Sequence, residues 1–204
     1  MHEQCDCGHG VDHDHQHQSE FANSVAEQQL SDTATEEPEL DDFDLLRYEG
    51  DPILAMPTRR VDSTNFHEAS ECLQKMSKVM ARHEDCLGVA APQVGHDLKI
   101  FMFRHGEKVI CCINPFISMF IKPQKQYIMS TEGCLSIPNK QYRLKRYHNL
   151  KLCFVNDQGR SEERTFRGMP AVVVQHEIDH LKGILISDKG KETTEPDKNM
   201  IAGI

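Results

Sequence analysis

No stretch of the 204-residue chain is apolar over the roughly 20 residues that a membrane-spanning helix needs, so a helical integral membrane function is not expected. The chain does not begin with a basic-then-apolar leader, which argues against secretion. No internal repeat of solenoid length is visible. Positive charge is missing from one end altogether: before Arg47 there is no Lys or Arg, against thirteen Asp and Glu, which leaves 19 acids against 23 bases in the rest. The net charge of −9 therefore combines a strongly acidic arm with a slightly basic remainder. An arm so acidic is the reverse of an organellar transit peptide. Residues 1–46 also lack apolar periodicity, which is the composition of a disordered segment.

What that arm does have is histidine and cysteine: His2, Cys5, Cys7, His9, His13, His15 and His17. The spacings fit no closed zinc module. The group reads either as a metal-collecting tail or as a solvated low-complexity segment. Cys72 on a helix face, Cys111-Cys112 in an apolar run and Cys153 in Leu152-Cys153-Phe154 read as small buried hydrophobes of a reducing cytosol.

The strongest chemical signal is Gln175-His176-Glu177-Ile178-Asp179-His180-Leu181. Two histidines at i and i+4 share one helix face and can grip one metal ion, and Glu177 stands next to the first, placed to take a proton from water at that ion. Pro170 suits the first helical turn and Gly183 its end, with Lys182 favourable for the dipole, although the run Val172-Val173-Val174 is poor in helix propensity. A catalytic site of this kind needs a third protein ligand and one open position. Ile186 stands where a metzincin would carry its third histidine, and Glu192 and Glu195 are weak candidates in a polar tail. A better candidate lies upstream in Glu132-Gly133-Cys134-Leu135-Ser136, a turn-like segment with a cysteine. A further segment, Gly88-Val89-Ala90-Ala91-Pro92-Gln93, is small, apolar and ends in an amide.

In this order the three segments resemble the three signature motifs of the peptide deformylase family, GxGLAAxQ, EGCLS and QHExDHL. The second and third match residue for residue; in the first, Cys86 stands at the first glycine and Val89 replaces leucine. The likeness runs from about Tyr48 to Ser187. It implies removal of the formyl group from N-formylmethionyl peptides of nascent proteins, with release of formate. It implies one divalent metal held by Cys134, His176 and His180, with Fe²⁺ favoured and Zn²⁺ fitting the same ligands. Glu177 would be the general base, and the Gln93 side-chain amide and Leu135 backbone N–H would stabilise the developing oxyanion. Glu132 would order the substrate site through hydrogen bonds, and Gly88 would let a peptide backbone approach closely. Leu87, Val89, Met169, Val172, Val173 and His176 are candidates for the methionine pocket. Asp179, on another face, supports a neighbouring side chain or meets solvent. Relatives commonly carry an arginine near the position of Gln141, with Arg143 two residues on, so backbone anchoring is expected to differ here.

For the fold, Phe66, Ala69, Leu73, Met76 and Met80 predict a helix with Asn65 and Glu68 as a capping box. Strands are expected at 99–103, 108–113, 117–121, 149–155 and 162–167, the last two joined by a hairpin at Asp157-Gln158-Gly159. The expected class is α+β, with antiparallel strands around a C-terminal catalytic HExxH helix and one further N-terminal helix. The expected organisation is an arm over 1–46, a deformylase-like domain over 47–187 and a short polar tail over 188–204, in which Pro196 argues against a long helix. The expected partners are formylmethionyl peptides and a transient ribosome contact, with no nucleic acid and no membrane, for a cytoplasmic monomer. Two other readings stay open: a metalloamidase or peptidase with another substrate, and a metal-sequestering protein with an idle site. A pure binding site would have no use for Glu177.

Overall fold

The computed structural model describes residues 45–121 and 127–194, and the backbone of 200–201. The His/Cys group from His2 to His17 lies outside the described residues, as does the acidic arm up to Asp44. Leu45 and Leu46, the last residues assigned to the arm, are 1% and 3% exposed and pack into the core, because two adjacent leucines have apolar surface to bury.

Helix α1, Phe66–Arg82, buries Ala69, Cys72, Met76, Val79 and Met80 along one stripe. The expected capping box is absent. Asn65 turns its side chain away from the helix to accept from the Asp62 N–H and donate to the Arg60 carbonyl. Glu68 binds Arg59 instead. A charged partner within reach outcompetes the weaker reciprocal cap.

Seven strands carry most of the structure: β1 Gly88–Ala90, β2 Ile100–His105, β3 Lys108–Phe120, β4 Tyr127–Cys134, β5 Ile137–Tyr147, β6 Asn149–Val155 and β7 Ser161–Arg167. One sheet runs β1-β2-β3-β6-β7, with every pairing antiparallel. The two strands expected at 108–113 and 117–121 are one. β3 crosses Asn114-Pro115 by a register shift, and the Asn114 amide bonds both backbone groups of Val61 at 2.8 Å. Pro115 has no N–H for the ladder, so an irregularity falls there.

The second sheet is built on the β4–β5 hairpin, which sequence periodicity does not announce. The turn-like segment at Cys134 is the tip of that hairpin, with Leu135-Ser136 as its turn. The stretch read as a polar tail supplies short edge strands: β8, Lys191–Glu192, pairs with β5, and β9, Met200–Ile201, pairs parallel to β4. The antiparallel expectation thus fails at this one edge. Backbone groups on open strand edges seek partners whatever the side chains are, so a polar segment can fill them.

Helix α2, Met169–His180, touches β1, β2, β5 and β7 and so bridges the two sheets. Every residue from Ala171 to His180 is buried. Val172 and Val174 are 0% exposed, packed with Phe101, Phe103, Leu150 and Phe166. This packing overrides the low helix propensity of the valines. β2 serves two cores by alternation: Phe101 and Phe103 face α2, while Ile100 faces α1. After α2 the chain turns at Gly183, where φ is +71° and an added Cβ would lie 2.6 Å from the Ala55 backbone. A four-residue helix, α3, Ile186–Lys189, follows. Among the described residues no helix is long and apolar enough to cross a membrane.

Candidate metal centre and active site

One turn of α2 puts His176 and His180 on the same face, and their Nε2 atoms lie 3.1 Å apart. The tip of the β4–β5 hairpin brings Cys134 Sγ to 3.3 Å from His180 Nε2. All ligand atoms of the three residues lie within 4.8 Å of one another, and all three side chains are buried. Burial lowers the basicity of both imidazoles, that of His180 strongly, and pushes the Cys134 thiol up to about 12. A protonated thiol beside two neutral imidazoles fits a divalent cation well, since binding converts the thiol to thiolate and releases its proton.

One ligand, His176, is held from behind, whereas His180 Nδ1 has no partner among the described residues. His176 Nδ1 meets Glu132 Oε2 at 3.0 Å, which leaves Nε2 for the cation. Glu132 is 0% exposed, and each of its oxygens has two partners. Oε1 accepts from Ser130 Oγ at 2.5 Å and Arg146 Nε at 2.9 Å; Oε2 accepts from Arg146 Nη2 at 2.7 Å beside the His176 contact. Burial opposes the charge on Glu132, but the hydrogen bonds from Arg146 and His176 outweigh it and hold the carboxyl at about 2. Arg146 also binds Asp179, whose Oδ2 takes Lys189 Nζ at 2.8 Å. Asp179 thus supports a neighbouring side chain, one of the two roles expected for it.

Glu177 is the opposite case. It is 0% exposed, and neither carboxyl oxygen has a partner among the described residues. Burial raises its carboxyl well above the usual range, with Arg146 opposing more weakly. An unpaired buried carboxyl is costly to folding, so its presence points to a partner that arrives with the chemistry. Gly88 covers it: an added Cβ there would come 2.4 Å from Glu177 Oε1 and 3.1 Å from Val173 Cγ1, so only glycine fits.

Gln93, also 0% exposed, sits in the 3-10 turn Ala91–Val94. Its Oε1 accepts from the Ala90 N–H at 2.8 Å, which turns its NH₂ toward Ser136 Oγ at 3.3 Å and Cys134 Sγ at 3.6 Å. The structure therefore brings Gln93, Cys134, His176, Glu177, His180, Glu132 and Gly88 together, with Leu135 next to the cysteine. The pocket candidates divide. Leu87, Val172 and Val173 pack with the α2 core, while the Val89 side chain, 0% exposed, packs with the α1 core, so Leu87 and Val89 do not line one wall. Met169 is 41% exposed at the start of α2.

Arg146, Ser130, Ser136 and Lys189 escaped the sequence reading. One signal was available for Arg146. Tyr142, Leu144 and Arg146 point inward while Arg143 and Lys145 point out, so an arginine occupies an apolar step of a period-two pattern.

The family model of polypeptide deformylases matches residues 44–195. A peptide deformylase of Dictyoglomus turgidum is 34% identical over 147 residues, covering 72% of this chain and 92% of that protein. Peptide deformylase 1 of Nitrosomonas europaea is 38% identical over 146 residues, covering 67% and 81%. Among solved structures, a peptide deformylase of Synechococcus elongatus in complex with actinonin superposes with a TM-score of 0.65 at 30% identity, covering 77% of this chain and 81% of that one. The Thermotoga maritima peptide deformylase gives a TM-score of 0.63 at 33% identity, covering 71% and 95%. On the matched residues and these relatives, the chain belongs to the polypeptide deformylase family.

Proposed function

We propose that the chain hydrolyses the formyl group from N-formylmethionyl peptides of nascent proteins, using one divalent metal at Cys134, His176 and His180. The observation that carries this reading is the Glu177 carboxyl, buried and unpartnered beside that ligand set. A cation bound there supplies Lewis-acid activation of water and of the formyl oxygen.

The chain's own groups do the rest. Glu177 takes a proton from water as its oxygen adds to the formyl carbon. It then delivers that proton to the methionine nitrogen as the C–N bond breaks, leaving formate and a free amine. The Gln93 NH₂, aimed by the Ala90 N–H, and the Leu135 N–H donate to the oxyanion that forms on the formyl oxygen. Glu132 holds His176 by its Nδ1 and fixes which nitrogen is free to bind metal. Gly88 leaves room for the Glu177 carboxyl and offers its backbone edge to the peptide, and Leu87, Val172 and Val173 form the apolar side toward the methionine. Fe²⁺ is the expected ion, and Zn²⁺ satisfies the same donors.

The enzyme works in the cytoplasm as a monomer and meets its substrates in passing at the ribosome. The cysteines at 72, 86, 111, 112, 134 and 153 are all free thiols, as a reducing compartment requires. Catalysis lies in a domain that includes Leu45 and Leu46, after an arm that takes no part in the chemistry.

The test is formate release from formyl-Met-Ala-Ser by protein loaded with Fe²⁺, Zn²⁺ or Co²⁺, beside acetyl-Met-Ala-Ser and unblocked peptide. Formate with at least one metal, and little turnover of the controls, is expected. Equal cleavage of the acetyl peptide would favour a general amidase, and no turnover with any metal would overturn the assignment.

A further inference from the structure

Cys86 occupies the place where the family pattern has a glycine, and it is 1% exposed with its Sγ 3.1 Å from the Gly88 carbonyl oxygen. The ladder shows where that carbonyl points. The Arg104 N–H donates to the Leu87 carbonyl at 2.8 Å, and the register sets Gly88 opposite Phe103. Bonded and non-bonded pairs alternate in an antiparallel ladder, so Leu87 and Arg104 are a bonded pair and Gly88 and Phe103 are not. The Gly88 N–H and C=O therefore turn away from β2, and β1 is the terminal strand of its sheet. The Ala90 N–H faces the same way and is already held by Gln93 Oε1. Gly88 is also the residue that covers the unpartnered Glu177 carboxyl. Its carbonyl is thus a backbone acceptor at the edge where an extended peptide adds as a strand, beside the proposed base.

We propose that Cys86 sets peptide affinity: its thiol caps the Gly88 carbonyl in the free enzyme and gives that acceptor up to a backbone N–H of the bound peptide. The proposal rests on the deformylase reading for the identity of that peptide. A thiol is a weak donor and an amide N–H a stronger one, so the exchange runs toward the complex. A glycine at this position would leave the carbonyl to water or unpaired. The thiol therefore satisfies a buried acceptor without competing as strongly as a hydroxyl would.

The metal-loaded full chain is compared with Cys86→Ala and Cys86→Ser on formyl-Met-Ala-Ser. Removing the competing donor in Cys86→Ala lowers KM about threefold to tenfold, the span expected for one hydrogen bond. The stronger hydroxyl of Cys86→Ser raises it, and kcat stays within about twofold in both. A merely structural thiol would give the opposite pattern, with KM raised and kcat lowered together in both variants, and that result overturns the proposal. A second readout needs no turnover. The S–H stretching band of Cys86, assigned by its loss in Cys86→Ala, moves to the frequency of a less strongly bonded thiol when unformylated Met-Ala-Ser saturates the protein. A band unmoved by bound peptide overturns the proposal even if formate release succeeds. Absence of formate release from the wild type strikes the deformylase reading, while the infrared result still decides the role of the thiol.

Discussion

Arg146 lays its guanidinium across both oxygens of Glu132, Nε to Oε1 at 2.9 Å and Nη2 to Oε2 at 2.7 Å, with the two side chains 2% and 0% exposed. The remaining guanidinium nitrogen reaches Asp179 on α2, and Asp179 reaches Lys189 on α3. A line of charge therefore runs from the surface through α2 and the β4–β5 hairpin to the imidazole of His176. The hairpin carries Cys134 and α2 carries both histidines, so the Arg146–Asp179 and Glu132–His176 contacts, which cross from one to the other, hold the two halves of the metal site together.

Breaking that pair leaves an uncompensated charge in the interior. Arg146→Ala should lose about 3–5 kcal/mol of stability in urea unfolding. Arg146→Lys should recover only part of it, because a single ammonium cannot reproduce the two-pronged contact. Metal should leave the surviving folded protein faster, as followed by transfer to a chromophoric chelator. Metal release at the wild-type rate in Arg146→Lys would detach the pair from the metal site.

The same pair sets the acid limit. Glu132 has its carboxyl lowered from 4.5 to about 2 in the folded state. Its contribution is therefore present in full above the unfolded value and is lost as pH falls through that window toward 2. The loss is roughly 3 kcal/mol. Urea unfolding of the wild type between pH 7 and about 2 should show this decline, and Glu132→Gln, with no such proton to take up, should show less of it. Parallel pH profiles for the two proteins would contradict the assignment.

The site was more legible in the sequence than its support. His176, Glu177 and His180 declare themselves because a helix imposes an i, i+4 relation that needs no tertiary information. Cys134 and Gln93 were readable through short motifs. Arg146 was not, because a charged residue at an inward step of β5, with its charged partner Glu132 at an inward step of β4, hides the alternation of Tyr142 and Leu144. β4 and β5 escaped for the same reason, and the edge strand at Lys191–Glu192 escaped because its pairing is all backbone. Val89 was misplaced for a subtler cause: its neighbour Gly88 turns its backbone to the site, while the Val89 side chain belongs to the core under α1.

Glu177 should show opposite effects on activity and stability. Glu177→Gln keeps the shape and removes the base, so formate release should fall about 10²- to 10⁴-fold while metal content by elemental analysis is retained. Burial holds the Glu177 carboxyl well above its ordinary range, so near neutral pH folding works against its ionisation. Gln carries no such cost, and the apoprotein of the variant should melt at a higher temperature than apo wild type. Full activity in the metal-loaded variant would remove Glu177 from the mechanism, and a lower melting temperature would mean that the carboxyl has a structural partner.

Cys134→Ser replaces a thiolate donor by a neutral hydroxyl at the tip of the hairpin. The Co²⁺ form of the wild type should show a thiolate-to-cobalt absorption band. The variant should lack it and bind metal more weakly. Among the described residues the only His, Cys, Asp or Glu cluster suited to a metal contains this cysteine, so an identical band in the variant would point to a cysteine of the arm.

The start of the chemistry can be placed by truncation. A chain beginning at Asp44 keeps Leu45 and Leu46, which are buried in the core under α1, and keeps the Arg47 N–H on the Gln93 carbonyl and the Glu49 N–H on the Ser136 carbonyl, both at 2.8 Å. It should therefore release formate at the full-length rate when saturated with metal. A chain beginning at Tyr48 loses both leucines, each worth about 1.5–3 kcal/mol of burial, and the backbone bond behind Gln93. It should melt earlier, and kcat should fall further than stability alone accounts for, because the Gln93 amide loses its backing. If the His/Cys group of the arm collects metal, the Asp44 chain should differ from the full chain in one respect only, a slower recovery of activity when apoprotein meets trace metal. Equal recovery would reduce that group to a solvated tail. A lower rate for the Asp44 chain at saturating metal would show that the arm contributes to the active domain and move the boundary upstream.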